Sequence, residues 1–253
     1  MKKVFLFAIT ALLFVACQKE NSEQVASGEG RIAITASASG EVITRADGVQ
    51  VATPQLSDFS LLITGKNFEK SWNKLTDYRT DDERYTAGTY TVAIACGDSK
   101  QEGYNVPAFA ASESVEVLDR NRTTEANLTA KLTNAIVTIQ TTEAFDNYFP
   151  VSEIKVTTTS NSFDFDFDRV QTDHLYIAAG QDIKIDCSCI RQSNLSAGTV
   201  EKLATQTLSN IAPTTRYVVT YDLTTVGGVK ITVKLNEEFL GTIEVETELN
   251  PNA

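Results

Sequence analysis

Cys17 is the residue whose setting announces its chemistry most plainly. Lys2 and Lys3 precede an apolar run from Val4 to Val15, interrupted only by Thr10, and the small Ala16 stands directly before Cys17. A basic start, an apolar run of this length and a small residue before the cut are the marks of a secretory signal peptide. The run is too short to cross a bilayer, which takes about 20 apolar residues. With a cysteine at the cut, Phe14-Val15-Ala16-Cys17 becomes a lipobox. There the thiol carries diacylglycerol before the peptidase cuts, and the freed amine is usually acylated too, palmitate being a common chain. Two or three chains anchor stably, since each buried methylene contributes about 0.8 kcal/mol. The expectation is a leader over residues 1–16 and a lipidated polar tether over 17–28.

Other candidate chemistry is sparse. Phe163-Asp164-Phe165-Asp166-Phe167-Asp168 sets Asp164, Asp166 and Asp168 on one face of a strand. A hard cation such as calcium favours oxygen ligands of this kind. The competing and preferred reading puts the phenylalanines in the core and the aspartates in water, where salt and solvent screen their repulsion. His174 is the single histidine. Any histidine-based triad would need it, no nucleophile is marked nearby, and it reads as the start of a strand from His174 to Ile177. Trp72, Tyr78, Tyr85 and Tyr104 could form a sugar-stacking platform, against the preferred use of packing in the core or loops. Gly-x-Ser-x-Gly, HExxH and a Gly-rich phosphate loop are all absent from the sequence. A pair of glycosidase carboxylates cannot be selected from 33 acids. No enzyme activity, no cofactor and no metal site is expected.

Charge narrows the partners. The net charge is −11, and removing Lys2 and Lys3 with the leader takes it to −13. So acidic a chain repels phosphate backbones, and no cluster of Lys and Arg interleaved with aromatics offsets this, so nucleic acid is excluded. Besides Cys17 there are Cys96, Cys187 and Cys189. Cys187 and Cys189 lie two apart on one strand face and are poorly placed to bridge each other, so free buried thiols are expected.

The elements that would carry these residues are strands. Arg31–Thr35, Phe59–Thr64, Thr89–Cys96, Ser114–Val117, Glu125–Leu132, Ala135–Ile139, Glu153–Thr157, Asp182–Cys187, Arg216–Tyr221, Val229–Leu235 and Gly241–Glu246 are short, rich in threonine and β-branched residues, and mostly alternate. Turn residues separate them at intervals of roughly ten to twenty, the rhythm of antiparallel sandwiches. One short helix is expected from Thr142 to Tyr148, ahead of Pro150. No internal sequence repeat is evident. The best seam is Leu132-Thr133-Asn134, which predicts one β-sandwich over 29–133 and a second over 134–253.

Together these features resemble the fimbrillin-like lipoproteins of Bacteroidetes, most closely the family called domain of unknown function 4493. The residues that carry the resemblance are the lipobox, Gly30-Arg31-Ile32-Ala33-Ile34, Ile43-Thr44-Arg45-Ala46, Leu56-Ser57-Asp58-Phe59, Ala87-Gly88-Thr89-Tyr90-Thr91-Val92, and the run from Leu128 through Lys131-Leu132-Thr133-Asn134-Ala135-Ile136-Val137. The chain departs at Pro107-Ala108-Phe109-Ala110, where close members have Pro-x-Tyr-x-Gly.

The resemblance implies an all-β fold of two tandem antiparallel sandwiches, transthyretin-like, and a pilus or adhesion subunit assembled by strand exchange. It implies cleavage by an arginine-specific protease between Arg45 and Ala46; an exposed loop arginine is the other use of Arg45. Phe239 to Leu249 would be either the donor strand or the last strand of its own domain. Gln18-Lys19-Glu20-Asn21 resembles the signal that sends such lipoproteins to the outer face of the outer membrane. Implied partners are the membrane through Cys17, other fimbrial subunits or copies of itself, and a host or glycan ligand. The alternative is a glycan-binding surface lipoprotein without catalytic activity.

Overall fold

Period-two alternation decides where the strands turn their side chains. In β8 (Thr123–Leu132), Ala126, Leu128, Ala130 and Leu132 are buried while Glu125, Asn127, Thr129 and Lys131 face solvent. Such a strand buries one face at no cost to the solvation of the other. The computed structural model describes residues 28–40, 51–118, 121–166 and 174–223, together with the backbone of 229–234 and 243–247. The first half holds β1 (Glu29–Ala38), β2 (Ser60–Gly65), β3 (Phe68–Trp72), β4 (Tyr85–Thr86), β5 (Gly88–Cys96), β6 (Gly103–Tyr104), β7 (Phe109–Val117) and β8. The second holds β9 (Asn134–Thr141), α1 (Glu143–Tyr148), β10 (Val151–Thr157), β11 (Ser162–Asp164), β12 (Leu175–Ala178), β13 (Ile183–Ile190), β14 (Glu201–Lys202), β15 (Gln206–Leu208), β16 (Arg216–Leu223), β17 (Val229–Lys234) and β18 (Ile243–Thr247).

The first half forms one sheet in the order β3-β2-β5-β7-β8-β1-β4 that folds over its own apolar face. The fold line lies between β7 and β8, whose ladder pairs Phe109 with Leu132 and Ala110 with Lys131. Beyond those pairs side chains bridge the strands. The Glu113 carboxylate accepts the Asn127 N–H, and the Thr124 hydroxyl donates to the Glu116 carbonyl. Ile32, Leu61, Val92, Val115 and Leu128 meet in the enclosed core. In the second half, β11-β10-β13-β14, with β15 also on β13, faces β18-β17-β16-β9-β12-β6. Val137, Phe145, Ile154, Ile185, Val219 and Tyr221 fill the space between.

The all-β sandwich expectation is borne out, with one refinement. The pairings are antiparallel except for β1 with β8 and β9 with β16, which are parallel. Each of these pairs joins the first strand of a sandwich to a late one, and parallel neighbours need a long crossover, here the rest of the sandwich itself. The expected helix is present as α1, where the Thr142 hydroxyl accepts the Phe145 N–H at 3.2 Å in an N-cap. Strands β3, β4, β6, β14 and β15 go unannounced in the sequence, being short or, like Phe68–Trp72, without alternating burial.

Of the aromatic residues that could have formed a platform, Tyr78 and Tyr85 are buried, and Trp72 packs edge-on against Tyr78 at 5.1 Å. Tyr104 is half-buried against the second core. Cys187 and Cys189 are free, buried on the core face of β13, and Cys96 is free and half-buried.

The two halves are fastened where Thr133 alone separates β8 from β9. Asn134 is fully buried, and its side-chain oxygen accepts the Ala108 N–H at 2.7 Å. The Thr214 hydroxyl donates to the Leu132 carbonyl at 2.6 Å. Ile136 and Tyr176, from the second half, are buried in the first core. Strand β6 reaches across to pair with β12, Tyr104 opposite Leu175. Beside it the Glu102 carboxylate accepts from the Thr158 hydroxyl at 2.7 Å, the Asn161 amide at 2.7 Å, the Ala178 N–H at 3.3 Å and the Gln181 amide. Hydrogen bonds to a charged acceptor are among the stronger ones.

Two outcomes follow from this packing. Glu102→Gln puts an amide donor among donors and should cost about 2 kcal/mol in urea unfolding. Burial holds the phenols of Tyr85, Tyr221 and Tyr78 above the ordinary tyrosine range. Folding therefore favours their neutral forms, a contribution fully present below about pH 10 and lost as pH rises above it. Alkaline titration followed at 295 nm should show these phenolates appearing together with loss of the far-ultraviolet strand signal.

Candidate functional site

The segment in which sequence, register and packing converge is β1. Gly30-Arg31-Ile32-Ala33-Ile34 opens an alternating stretch that ends in small residues, Ala36 and Ala38. Ile32 is fully buried, and Ile34, Ala36 and Ala38 lie half-buried against the same core. On one edge β1 is parallel to β8 from Arg31–Thr123 to Ala38–Ala130. The Arg31 N–H donates to the Arg122 carbonyl and the Ser39 N–H to the Ala130 carbonyl, both at 2.8 Å. On its other edge the pairs with β4 are Glu29–Thr86 and Gly30–Tyr85. Beyond them the Tyr78 hydroxyl donates to the Ile32 carbonyl at 2.6 Å. Among the described residues, β1 is thus held along most of its length by a single strand ladder and its apolar face.

Gly30 sets the register of that ladder. A Cβ at this position would stand 2.6 Å from the Leu118 carbonyl oxygen and 2.9 Å from that of Arg122, so backbone blocks any side chain there. Past the other end of β1, the Val51 N–H donates to the Gly40 carbonyl at 3.2 Å, closing the points between which residues 41–50 run. Chemically, the arrangement is a noncovalent seat for one alternating strand: a glycine at the mouth, a deep pocket for Ile32 and shallower room after it.

The other predicted positions are placed unevenly. Cys17, Arg45, Ala46 and Asp168 lie outside the described residues. Asp164 sits on β11, paired at 3.3 Å with Lys155 on β10, and Phe163 and Phe165 pack on the second core. The Asp166 N–H donates to the Tyr104 hydroxyl at 3.0 Å. Among the described residues no group of three or more His, Cys, Asp or Glu side chains could hold a metal ion. His174 precedes β12, and its carbonyl accepts the Asn105 N–H at 3.0 Å. The sequence reading missed the seat role of Gly30, for which the signal available was a glycine directly before an alternating apolar run.

Among solved structures, the chain is similar to a fimbrial assembly protein from Parabacteroides distasonis, at 8% identity over 86% of this chain and 98% of the other, with a TM-score of 0.48. It is similar to a candidate polysaccharide-binding protein from Bacteroides thetaiotaomicron, at 8% identity over 81% and 96%, TM-score 0.42. A third is a candidate cell adhesion protein from Bacteroides uniformis, at 10% identity over 81% and 97%, TM-score 0.43. No curated protein matches the sequence. Residues 28–251, nearly all that follows the expected leader and tether, match the family described as domain of unknown function DUF4493. The resemblance read from the lipobox, Gly30–Ile34 and the Leu128–Val137 run is borne out at that level: the chain belongs to the DUF4493 family.

Proposed function

We propose that this protein is a surface-displayed fimbrial or adhesion subunit, anchored through lipid on Cys17 and assembled by strand exchange after cleavage between Arg45 and Ala46. Residues 29–133 and 134–253 are taken as its two domains. The observation that carries the reading is the seating of β1, a strand that closes the first core yet is held by one ladder along most of its length. A cut after Arg45 would leave β1 bound by noncovalent contacts alone and separate the rest of the chain from its lipid. Loss of β1 would uncover the pocket of Ile32 and the backbone edge of β8. Such an open edge recruits a strand from another chain. Refilling it would bury several hundred Å2 of surface, worth about 25 cal/mol per Å2 before ordering costs.

The far end of the chain has a segment of the right pattern. Gly241-Thr242-Ile243-Glu244-Val245-Glu246-Thr247-Glu248-Leu249 repeats the order of Gly30-Arg31-Ile32-Ala33-Ile34-Thr35-Ala36-Ser37-Ala38, with glycine first and apolar or small residues at every second place. Within its own chain, Ile243–Thr247 is the edge strand β18, paired with β17. An edge strand can exchange partners at the expense of one ladder.

Low-dose trypsin on the chain from Gln18 onward, followed by mass and by oligomer size, tests the reading. A first cut after Arg45 and then a ladder of oligomers is expected, with Arg45→Ala staying monomeric. A cut product that remains monomeric would sink the strand-exchange mechanism. Gly30→Val should destabilise the uncut protein by about 2 kcal/mol through overpacking, read from the urea midpoint. Gly241→Val should leave that midpoint nearly unchanged and abolish the ladder.

A further inference from the structure

The two sandwiches share most of one pairing scheme, although their sequences show no repeat. The β7–β8 ladder of the first has no counterpart among the described residues of the second, which adds β17 and β18. The pairs β1–β8 and β9–β16 are both parallel, and β1–β4 corresponds to β9–β12. The pairs β2–β3, β2–β5 and β5–β7 correspond to β10–β11, β10–β13 and β13 with β14 and β15. The registers match position to position. Strands β1 and β9 pair with β8 and β16 from their third residues onward, equating Arg31 with Ile136. The antiparallel pairs Glu29–Thr86 and Asn134–Ala178 then equate Arg84 with Tyr176. The last pairs of the β5 and β13 ladders, Cys96–Phe109 and Cys189–Glu201, equate Ala108 with Val200.

This equivalence gives the internal junction a direction. The first sandwich offers its β5–β7 loop, with Ala108 at 2% exposure; the second receives it with Ile136 at 0% and Tyr176 at 3%. At the free end of the second sandwich, the position of Ala108 is Val200, and it is 56% exposed. Leu195, in the same loop, and Val151, whose β10 register sets it opposite Ile190, are 45% and 44% exposed. At the free end of the first sandwich, Leu118 is 44% exposed, in the β7–β8 loop. These four are the most exposed large apolar side chains among the described residues, and all lie at the two free ends.

Charge distinguishes the two ends further. The receiving positions at the first sandwich are Arg31 and Arg84 in place of Ile136 and Tyr176, with the exposed Arg122 beside them. The Arg31 Nε is buried and has no hydrogen-bond partner among the described residues. At the opposite free end, α1 exposes Glu143 and Asp146 at the close of β9.

We propose that the free end of the second sandwich docks on the free end of the first in another copy of this chain, repeating the internal junction. Val200 and Leu195 would meet Leu118 and the stems of the arginines, whose guanidiniums face the acids of α1. The contact joins unlike surfaces head to tail and so adds subunits in series, as an open string unless the rotation between them closes a ring. It rests on the fibre reading above for its purpose and not for its geometry, because it needs neither cleavage nor release of β1.

The test uses the uncut chain from Gln18 onward in a Cys96→Ser background, where the remaining cysteines, Cys187 and Cys189, are buried. Leu118→Cys protein mixed with Val200→Cys protein should give a disulfide-linked dimer under mild oxidation, while each alone stays monomeric. The double variant should give a ladder, weakened several-fold by Arg84→Glu or by 0.5 M salt. No mixed dimer, or either single variant linking to itself as readily, overturns the proposal. A ladder here with no trypsin-dependent polymer would retain this contact and remove strand exchange; the reverse would remove this contact alone.

Discussion

Everything in this fold depends on backbone hydrogen bonding for a strand that arrives first and must be covered by strands made later. Strand β1 gains its long ladder only when β8 is in place, about ninety residues along the chain, and β9 waits in the same way for β16. A buried strand without a partner leaves polar groups unpaired, so neither sandwich closes until its chain has gone round. The parallel sense of both pairs follows, since the chain returns to the starting side before laying down its late strand. Contacts so distant in sequence fold slowly and leave apolar edges open meanwhile.

The same constraint is met differently in the two sandwiches. Strand β9 is laddered on both edges, by β16 and over four residues by β12, with the buried Asn134 fixing its start. Strand β1 has β8 on one edge and two residues of β4 on the other, and an unpaired buried guanidinium nitrogen at Arg31. Two strands of equivalent place therefore differ in how firmly they are held. The weaker one, β1, is the strand that precedes the segment carrying Arg45.

Between the sandwiches, polar side chains do what a linker would leave undone. Glu102, Asn134 and Thr214 take up backbone and side-chain groups that the short β8–β9 connection would otherwise strand. Strand β6 caps the edge of β12, which removes one site of unwanted edge pairing. The aromatic residues near the first core are consumed by packing, as Phe68, Tyr85 and Tyr90 meet edge to face at 5.3 to 5.5 Å. Of the candidate platform residues, Tyr78 and Tyr85 are thus spent on the core, and Trp72 packs against Tyr78.

Alternation and composition by themselves determined the all-β class, α1 ahead of Pro150 and most of the long strands, because each is a local matter of period, propensity and turn residues. The motif order sufficed for the family. Tertiary structure alone decided that β1 and β9 lie parallel to late strands, that β6 crosses to the other sandwich, and that Gly30 is pressed against the Leu118 and Arg122 carbonyls. It also decided that the two halves share most of one pairing scheme. The reason is that hydrogen bonds between strands join backbone atoms, which are alike in every residue. Two sequences can therefore share most of a pairing scheme while sharing little beyond the alternation that hides one face of each strand from water.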